Sequence, residues 1–277
     1  MFYALFSAIS NIIATTVNKH LLSKEKMSVA TFTAWLFIFL FIITALSLPW
    51  IGWVDWEHAF TDYYVFLFLM MIFLATVWNY FYYNCLEKDN LADFQVIAIV
   101  QPLLTVALAV TVFAEERNEK VIIATLIAGI TLIWSHLTRW KIDNFAITIP
   151  LFFAILLSAI ESLYHKEMLQ VFTPAALYFT RTAVLAVIFV ILGFNTLFKV
   201  SKSNLYQTII ISFFAVLTMV LSFYGYEAIG IAKTQIIMLL YPIGATLLSV
   251  YYLKERIKKR KIFALIIITA CIIYAFS

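Results

Sequence analysis

The segment QVIAIVQP, residues Gln95–Pro102, lies inside an apolar stretch, and the segment QIIMLLYP, residues Gln235–Pro242, lies inside another. Both segments read Q-x-I-x-x-x-x-P. Each such pair costs free energy in an apolar helix, because the amide needs hydrogen-bond partners and proline removes a backbone donor. The recurrence therefore predicts two copies of one structural unit, each with this costly pair at the same place.

The composition excludes an ordinary soluble domain. Of the 277 residues, 64% are hydrophobic and 12% are charged, against about 45–50% and about 25% in soluble domains. A helix that crosses the membrane hydrocarbon needs about 20 mostly apolar residues. We predict a multi-pass protein of the cell membrane, in contact with the lipid bilayer, with ten spans at 2–22, 28–48, 63–85, 91–113, 120–138, 145–166, 173–194, 205–226, 231–253 and 260–276.

The repeat extends beyond the two quoted segments. At the offset of the Gln-Pro pairs, Glu115 corresponds to Glu255. At a slightly larger offset, FSAISNIIATTVNKHLL lies over FAILLSAIESLYHKEML, so that Lys19 corresponds to Lys166. We therefore predict an all-α integral membrane protein of ten transmembrane helices, built as two five-helix repeats, residues 1–140 and 141–277. Five is an odd number, so the second repeat must be inverted, and inverted repeats enclose a binding site near the membrane midplane.

The Gln-Pro pairs allow two interpretations. Pro102 and Pro242 predict bends in the fourth helix of each repeat, because each removes a backbone hydrogen bond. Gln95 and Gln235 lie nearly two turns before them and share their helix face. These amides either join neighbouring helices by hydrogen bonds or line a polar cavity.

These features resemble the EamA-type family of the drug/metabolite transporter (DMT) superfamily over essentially the whole chain. The resemblance rests on the two five-helix units, the lysines that close the first helix of each, and the fourth helices that run from Gln through Pro to Glu. Arg181 is similar to an arginine that this family often carries in the second helix of a unit. The resemblance implies a secondary carrier that works by alternating access, and the substrates of this family include amino acids, drugs, sugars and other metabolites. We predict a secondary transporter, an exporter rather than an importer, of a small polar or amphipathic metabolite such as an amino acid.

The sequence also departs from the pattern of related proteins. The small multidrug-resistance proteins, which resemble each repeat, carry a proton-binding glutamate eight residues before their lysine. The matching positions here are Asn11 and Ser158. The resemblance therefore places both residues at the candidate substrate site but leaves open whether transport is coupled to protons.

Two charged residues within the apolar runs, Glu161 and Arg181, are candidates for function, because charges in a membrane span are costly. They lie in consecutive predicted spans, so they can pair. Four interpretations remain open: a structural ion pair, a protonatable switch at Glu161, a site where Arg181 binds a carboxylate and Glu161 binds an amine, or a Glu161 that lies near the membrane interface. Trp78, Tyr82 and Tyr224 form either an interfacial aromatic belt or part of the cavity wall.

The remaining classes of function are less well supported. The sequence has no metal-ligand cluster, phosphate loop or nucleophile motif, so we predict no enzyme, no cofactor and no nucleic-acid partner. The expected partners are a small-molecule substrate, lipid and, in one alternative, protons, with a monomer or homodimer as the assembly. A multidrug, organic-cation or proton-coupled efflux carrier is the first alternative, and a channel or a non-transporting interaction protein is the second. Most of the 19 Lys and Arg residues follow odd-numbered spans, which predicts that both termini lie outside the cytoplasm.

Overall fold

The computed structural model describes residues 1–24, 27–88, 100–136, 145–198, 200–241, 244 and 259–277. Within these ranges the chain is helical apart from its connections, and one isolated antiparallel bridge joins Val54 to Phe172. The longer helices in these ranges are α1 Phe2–Lys24, α2 Val29–Ile51, α3 Asp62–Lys88, α4 Val100–Val112, α5 Glu119–His136, α6 Phe145–Met168, α7 Pro174–Gly193, α8 Lys202–Ile229, α9 Ile231–Met238 and α10 Lys259–Phe276.

The lengths and composition of the helices fit a membrane protein. Among the described residues, five stretches are long and apolar enough to cross a bilayer: Val29–Leu48, Asp62–Glu87, Ile149–Met168, Pro174–Thr196 and Lys202–Ile229. Shorter apolar helices cover Phe2–Thr15, Val100–Val112 and Ile262–Phe276. The predicted all-helical membrane protein is therefore confirmed, and every predicted span contains a described helix. Ten complete crossings in two inverted repeats stay a prediction.

The helix ends follow from local sequence. Ser28 caps α2 by accepting a hydrogen bond from the backbone N–H of Thr31, and Ser201 caps α8 in the same way. Such caps satisfy donors that have no partner within the helix. Pro174 occupies the first turn of α7, where its missing N–H costs nothing. Gly230 separates α8 from α9 with a φ of +85°, a conformation that favours glycine.

The bends predicted at Pro102 and Pro242 both stay predictions. Pro102 is the third residue of α4, and the residues before Val100 lie outside the described ranges, so the bend there stays a prediction. Pro242 also lies outside the described ranges. Pro150 lies inside α6, a position that the sequence analysis did not single out.

Helices of the first half of the chain pack mainly on helices of the second half. α1 packs on α8, α2 on α7, α3 on α6, and α5 on α10. Near the centre, α4 contacts α6 and α9, and α1 also contacts α9. Residues facing outward are often large and apolar, as at Ile130 (69% exposed), Ile191 (69%) and Phe198 (81%). Such a surface is unfavourable in water and favourable in lipid.

Candidate functional site

A cavity of about 210 Å³ lies between the two halves of the chain. Its walls come from α1 to α4 and from α6 to α9, so each half contributes four helices. Amide, hydroxyl and ionisable side chains make up much of its lining. Polar side chains inside an apolar helical bundle are costly, and they commonly mark a substrate or ion pathway.

Glu161 is the centre of a buried polar cluster in the cavity wall. Its Oε1 accepts a hydrogen bond from Nε of Arg181 at 2.7 Å, and its Oε2 accepts one from the indole N–H of Trp78 at 2.5 Å. His165 Nε2 lies 3.2 Å from Oε1 of Glu161, although its geometry does not make a hydrogen bond. Glu161 and Arg181 are only 2% and 3% exposed. The carboxylate therefore has partners at both of its oxygens.

Helix periodicity explains how this cluster forms. Glu161 and His165 are four residues apart on α6, so they lie on one face of the helix. Arg181 comes from α7, which follows α6 in the chain, whereas Trp78 comes from α3 in the first half. The cluster thus joins the two halves of the chain through a charge-assisted hydrogen bond, a class stronger than bonds between neutral groups.

The charges that line the cavity balance one another. Among the described residues, the acidic and basic side chains of the lining are Glu161, Arg181 and His165. Glu161 and Arg181 form an ion pair, and the ring of His165 packs 4.6 Å from the ring of Phe223. With His165 neutral, this part of the cavity wall carries no net charge.

Amide side chains connect further helices around the cavity. Gln235 of α9 donates to the hydroxyl of Tyr226 at 2.7 Å. Gln101 of α4 donates to Oγ of Ser158 on α6 at 2.5 Å. Both amides line the cavity and also join helices. Gln235 therefore fits both interpretations of the glutamines, because its amide joins neighbouring helices and also lines a polar cavity.

Most of the predicted site residues lie together in this cavity. Tyr224 does not line it, and its ring lies 5.4 Å from the ring of Tyr3. Gln95 lies outside the described residues. Those that line the cavity are Asn11, Trp78, Tyr82, Ser158, Glu161, Arg181 and Gln235, together with Pro102.

The sequence analysis missed several polar residues of the lining. The signal for Gln101 was its place next to Pro102 in the quoted segment. The signal for Asn18 and His165 was their place directly before Lys19 and Lys166, the lysines that align between the repeats. The others missed include Ser162 and Ser222.

One end of the bundle is held together by Glu116, from the connection between α4 and α5. Its Oε1 accepts from Nζ of Lys166 at 2.6 Å and from the backbone N–H of Ile231 at 2.9 Å, and its Oε2 accepts from the N–H of Ala232 at 3.1 Å. The carboxylate thus caps the first turn of α9, where unpaired N–H groups favour a negative charge. Since α6 and α9 belong to the second half, these bonds join the halves.

Gly230 packs closely against the carboxylate of Glu116. A Cβ on Gly230 would lie 2.7 Å from both carboxylate oxygens of Glu116, so a larger side chain there would displace the carboxylate. The neighbouring Glu115 is exposed, and its carboxylate lies 2.9 Å from Nζ of Lys166. The hydrogen bond from Lys166 lowers the pKa of Glu115 below its usual range.

A second contact between the halves lies at the same end. The connection between α2 and α3 forms the bridge of Val54 with Phe172, which belongs to the connection between α6 and α7. The N–H of Asp55 donates to the carbonyl of Val171 at 2.8 Å, and Trp53 and Thr173 exchange further hydrogen bonds. These hydrogen bonds therefore join the two halves at this end of the bundle.

Comparisons with known proteins agree with this architecture. Residues 146–277 match the family model of the EamA-like transporter family. A protein of Haemophilus influenzae (strain ATCC 51907 / DSM 11121 / KW20 / Rd) described as an uncharacterized transporter is 26% identical over 225 residues, which cover 76% of this chain and 74% of the relative. One solved crystal structure aligns over 98% of both chains with a TM-score of 0.69 and 14% identity; at that identity it shows a shared fold alone.

The family and the fold together decide the broad class of the protein. EamA proteins are transporters rather than enzymes, and the described helices are those of a multi-pass membrane protein. The match over residues 146–277 and the transporter-named relative make the chain similar to the EamA-like transporter family and support a membrane transporter.

Proposed function

We propose that the protein is a secondary carrier that moves a small polar metabolite across the cell membrane by alternating access. The halves, residues 1–140 and 141–277, would act as two inverted repeats with the substrate site between them. The observation that carries this proposal is the position of the polar cavity, because both halves line it and its charged cluster joins α3 to α6 and α7. Export is the direction that we predict.

The packing of the helices supports the inverted repeats. In the proposed repeats α1 is equivalent to α6, α3 to α8 and α4 to α9. The contact of α1 with α8 is therefore equivalent to the contact of α6 with α3, and the contact of α4 with α6 is equivalent to that of α9 with α1. The contacts of α2 with α7 and of α5 with α10 map onto themselves. A pseudo-two-fold axis between the halves produces this pattern, as in other carriers with internal repeats.

The contacts at the Glu116 end support a gate. They consist of one carboxylate with three donors and a short backbone bridge, and all of them join one half of the chain to the other. Opening that end would break these bonds while the long helices move as rigid units. The distribution of Lys and Arg in the sequence predicts that this end faces away from the cytoplasm.

A carrier of organic cations or protons is the second candidate. Trp78 and Tyr82 form an edge-to-face pair with ring centroids 5.8 Å apart, and aromatic faces bind organic cations. His165 beside Glu161 offers a group that could carry a proton. The balanced charge of the cavity favours a neutral or zwitterionic substrate over a cation, because Glu161 already neutralises Arg181.

Flux into proteoliposomes tests the proposed function. We expect saturable uptake of one solute class from a panel of amino acids, quaternary amines and nucleotide sugars, measured with and without a pH gradient. Liposomes that contain no protein are the control. Acceleration by the pH gradient would favour the proton-coupled candidate, whereas fast flux that does not saturate would contradict a carrier and favour a channel.

A further inference from the structure

Two polar atoms in the cavity wall have no hydrogen-bond partner among the residues that the structure describes. They are Oδ1 of Asn18 and Nε2 of His165, the latter 3.2 Å from Oε1 of Glu161 but without the geometry of a hydrogen bond. The residues are 8% and 2% exposed, respectively. Nearly all buried polar groups in proteins are paired, and an unpaired group costs free energy until a partner arrives. These atoms therefore mark positions where a solute in the cavity would complete the hydrogen bonding.

The two residues are equivalent positions of the repeats. Asn18 directly precedes Lys19 on α1, and His165 directly precedes Lys166 on α6. One unpaired polar atom is thus contributed by each half, at the same register of the first helix. A carrier that rocks its halves around a fixed substrate needs contacts of this kind on both halves.

The chemistry of the lining restricts the solute. Asn18 Oδ1 can only accept a hydrogen bond, so the solute must present a donor there. Arg181 uses its Nε for Glu161, and among the described residues its two terminal nitrogens make no hydrogen bond, so they remain for an acceptor such as a carboxylate. The charge of the wall is balanced, so a solute with no net charge fits best. A cavity of about 210 Å³ is smaller than a typical drug site of about 300–1,000 Å³.

We propose that Asn18 and His165, one from each half, bind the substrate directly, and that the substrate is a small zwitterion. Its donor group bonds to Asn18 Oδ1, and its acceptor group lies between Arg181 and His165. Glu161 then orients Arg181 and does not bind the amine of the solute. This assignment rests on the proposed function and names the ligand contacts of that same cavity.

Ligand-induced thermal stabilisation of the purified protein tests the assignment. The probes are L-alanine, L-threonine and L-leucine as zwitterions and tetraethylammonium as a cation. We expect a zwitterion to raise the Tm of the wild-type protein and tetraethylammonium to leave it unchanged. In Asn18→Leu and His165→Phe, the affinity for that zwitterion should fall by about tenfold or more, because each variant removes one buried hydrogen bond to the ligand.

The stability without ligand separates binding from a structural role. Asn18→Leu removes the unpaired Oδ1 together with the amide nitrogen Nδ2, so its Tm without ligand should stay close to that of the wild type. Asn204→Leu is the matched control, since Asn204 also has a buried, unpaired Oδ1 but does not line the cavity. It should leave the affinity for the zwitterion unchanged.

Three outcomes would overturn the assignment. The first is unchanged zwitterion affinity in both Asn18→Leu and His165→Phe. The second is a loss of affinity in Asn204→Leu as large as in Asn18→Leu. The third is a wild-type protein that none of the zwitterions stabilises. If flux then reveals saturable transport of another solute, the carrier proposal stands and only the ligand assignment fails; if no solute is transported, both fail.

Discussion

Replacing Arg181 with leucine is expected to lower the free energy of unfolding by roughly 3–5 kcal/mol, because it leaves the Glu161 carboxylate buried without its charged partner. Trp78 would still donate to Glu161, but a neutral donor cannot balance the charge. The loss should appear as a fall in Tm in detergent. Arg117→Leu is the control, since Arg117 is exposed and donates to carbonyls of its own segment, and its Tm should change little.

The double variant Glu161→Gln/Arg181→Leu separates a structural pair from a substrate site. Removing both charges should restore much of the stability, because no unpaired ion remains. We expect transport to stay lost, since the terminal nitrogens of Arg181 are needed for the acceptor group of the substrate. Recovery of transport together with stability would show that the pair only stabilises the fold. Transport by Arg181→Leu at the wild-type rate would also contradict the proposed role.

Glu116→Gln is expected to open the end of the bundle that Glu116 holds. The variant keeps the size of the side chain but removes the charge that three donors share. Charge-assisted hydrogen bonds contribute about 1.5–3 kcal/mol each, so the closed arrangement should lose roughly 2 kcal/mol or more, a shift of about 30-fold in its equilibrium. Hydrogen exchange of the amides of Ile231 and Ala232, which donate to Glu116, should accelerate by a similar factor.

Glu115→Gln provides the matched control for this experiment. Glu115 contacts the same lysine but is 65% exposed at its side chain, and exposed ion pairs contribute about 0–1 kcal/mol. Exchange at Ile231 and Ala232 should therefore stay close to that of the wild type. Equal acceleration of hydrogen exchange in both variants, or no acceleration in Glu116→Gln, would contradict the proposal that Glu116 holds the gate closed.

The sequence predicted those features that depend on composition and periodicity. Long apolar runs bounded by charged loops indicated the helices, and a charge inside such a run identified Glu161 and Arg181 as candidate site residues. The repeat placed Asn11 and Ser158 on equivalent faces of α1 and α6, and both line the cavity.

The parts that the sequence did not predict depend on contacts between distant segments. Two of the three donors to Glu116 are backbone N–H groups of α9. Nearly every residue type has such a group, so the sequence does not reveal which of them bind a carboxylate. Trp78 was expected at the cavity wall, but its bond to Glu161 depends on how α3 packs on α6. Gln101, unlike Gln95, carried no repeat signal because its equivalent in the second half is Tyr241.

Alternating access between the halves is tested most directly by a disulfide across the bridge at the closed end. Opposed residues of an antiparallel pair have Cα atoms about 4.5–5.5 Å apart, which suits a disulfide, so Val54→Cys/Phe172→Cys should cross-link on oxidation. The background is Cys85→Ala/Cys271→Ala, since the native cysteines Cys85 and Cys271 are free. The carrier proposal predicts that transport falls at least tenfold in the oxidised protein and returns on reduction. Transport at the full rate by completely cross-linked protein would contradict it.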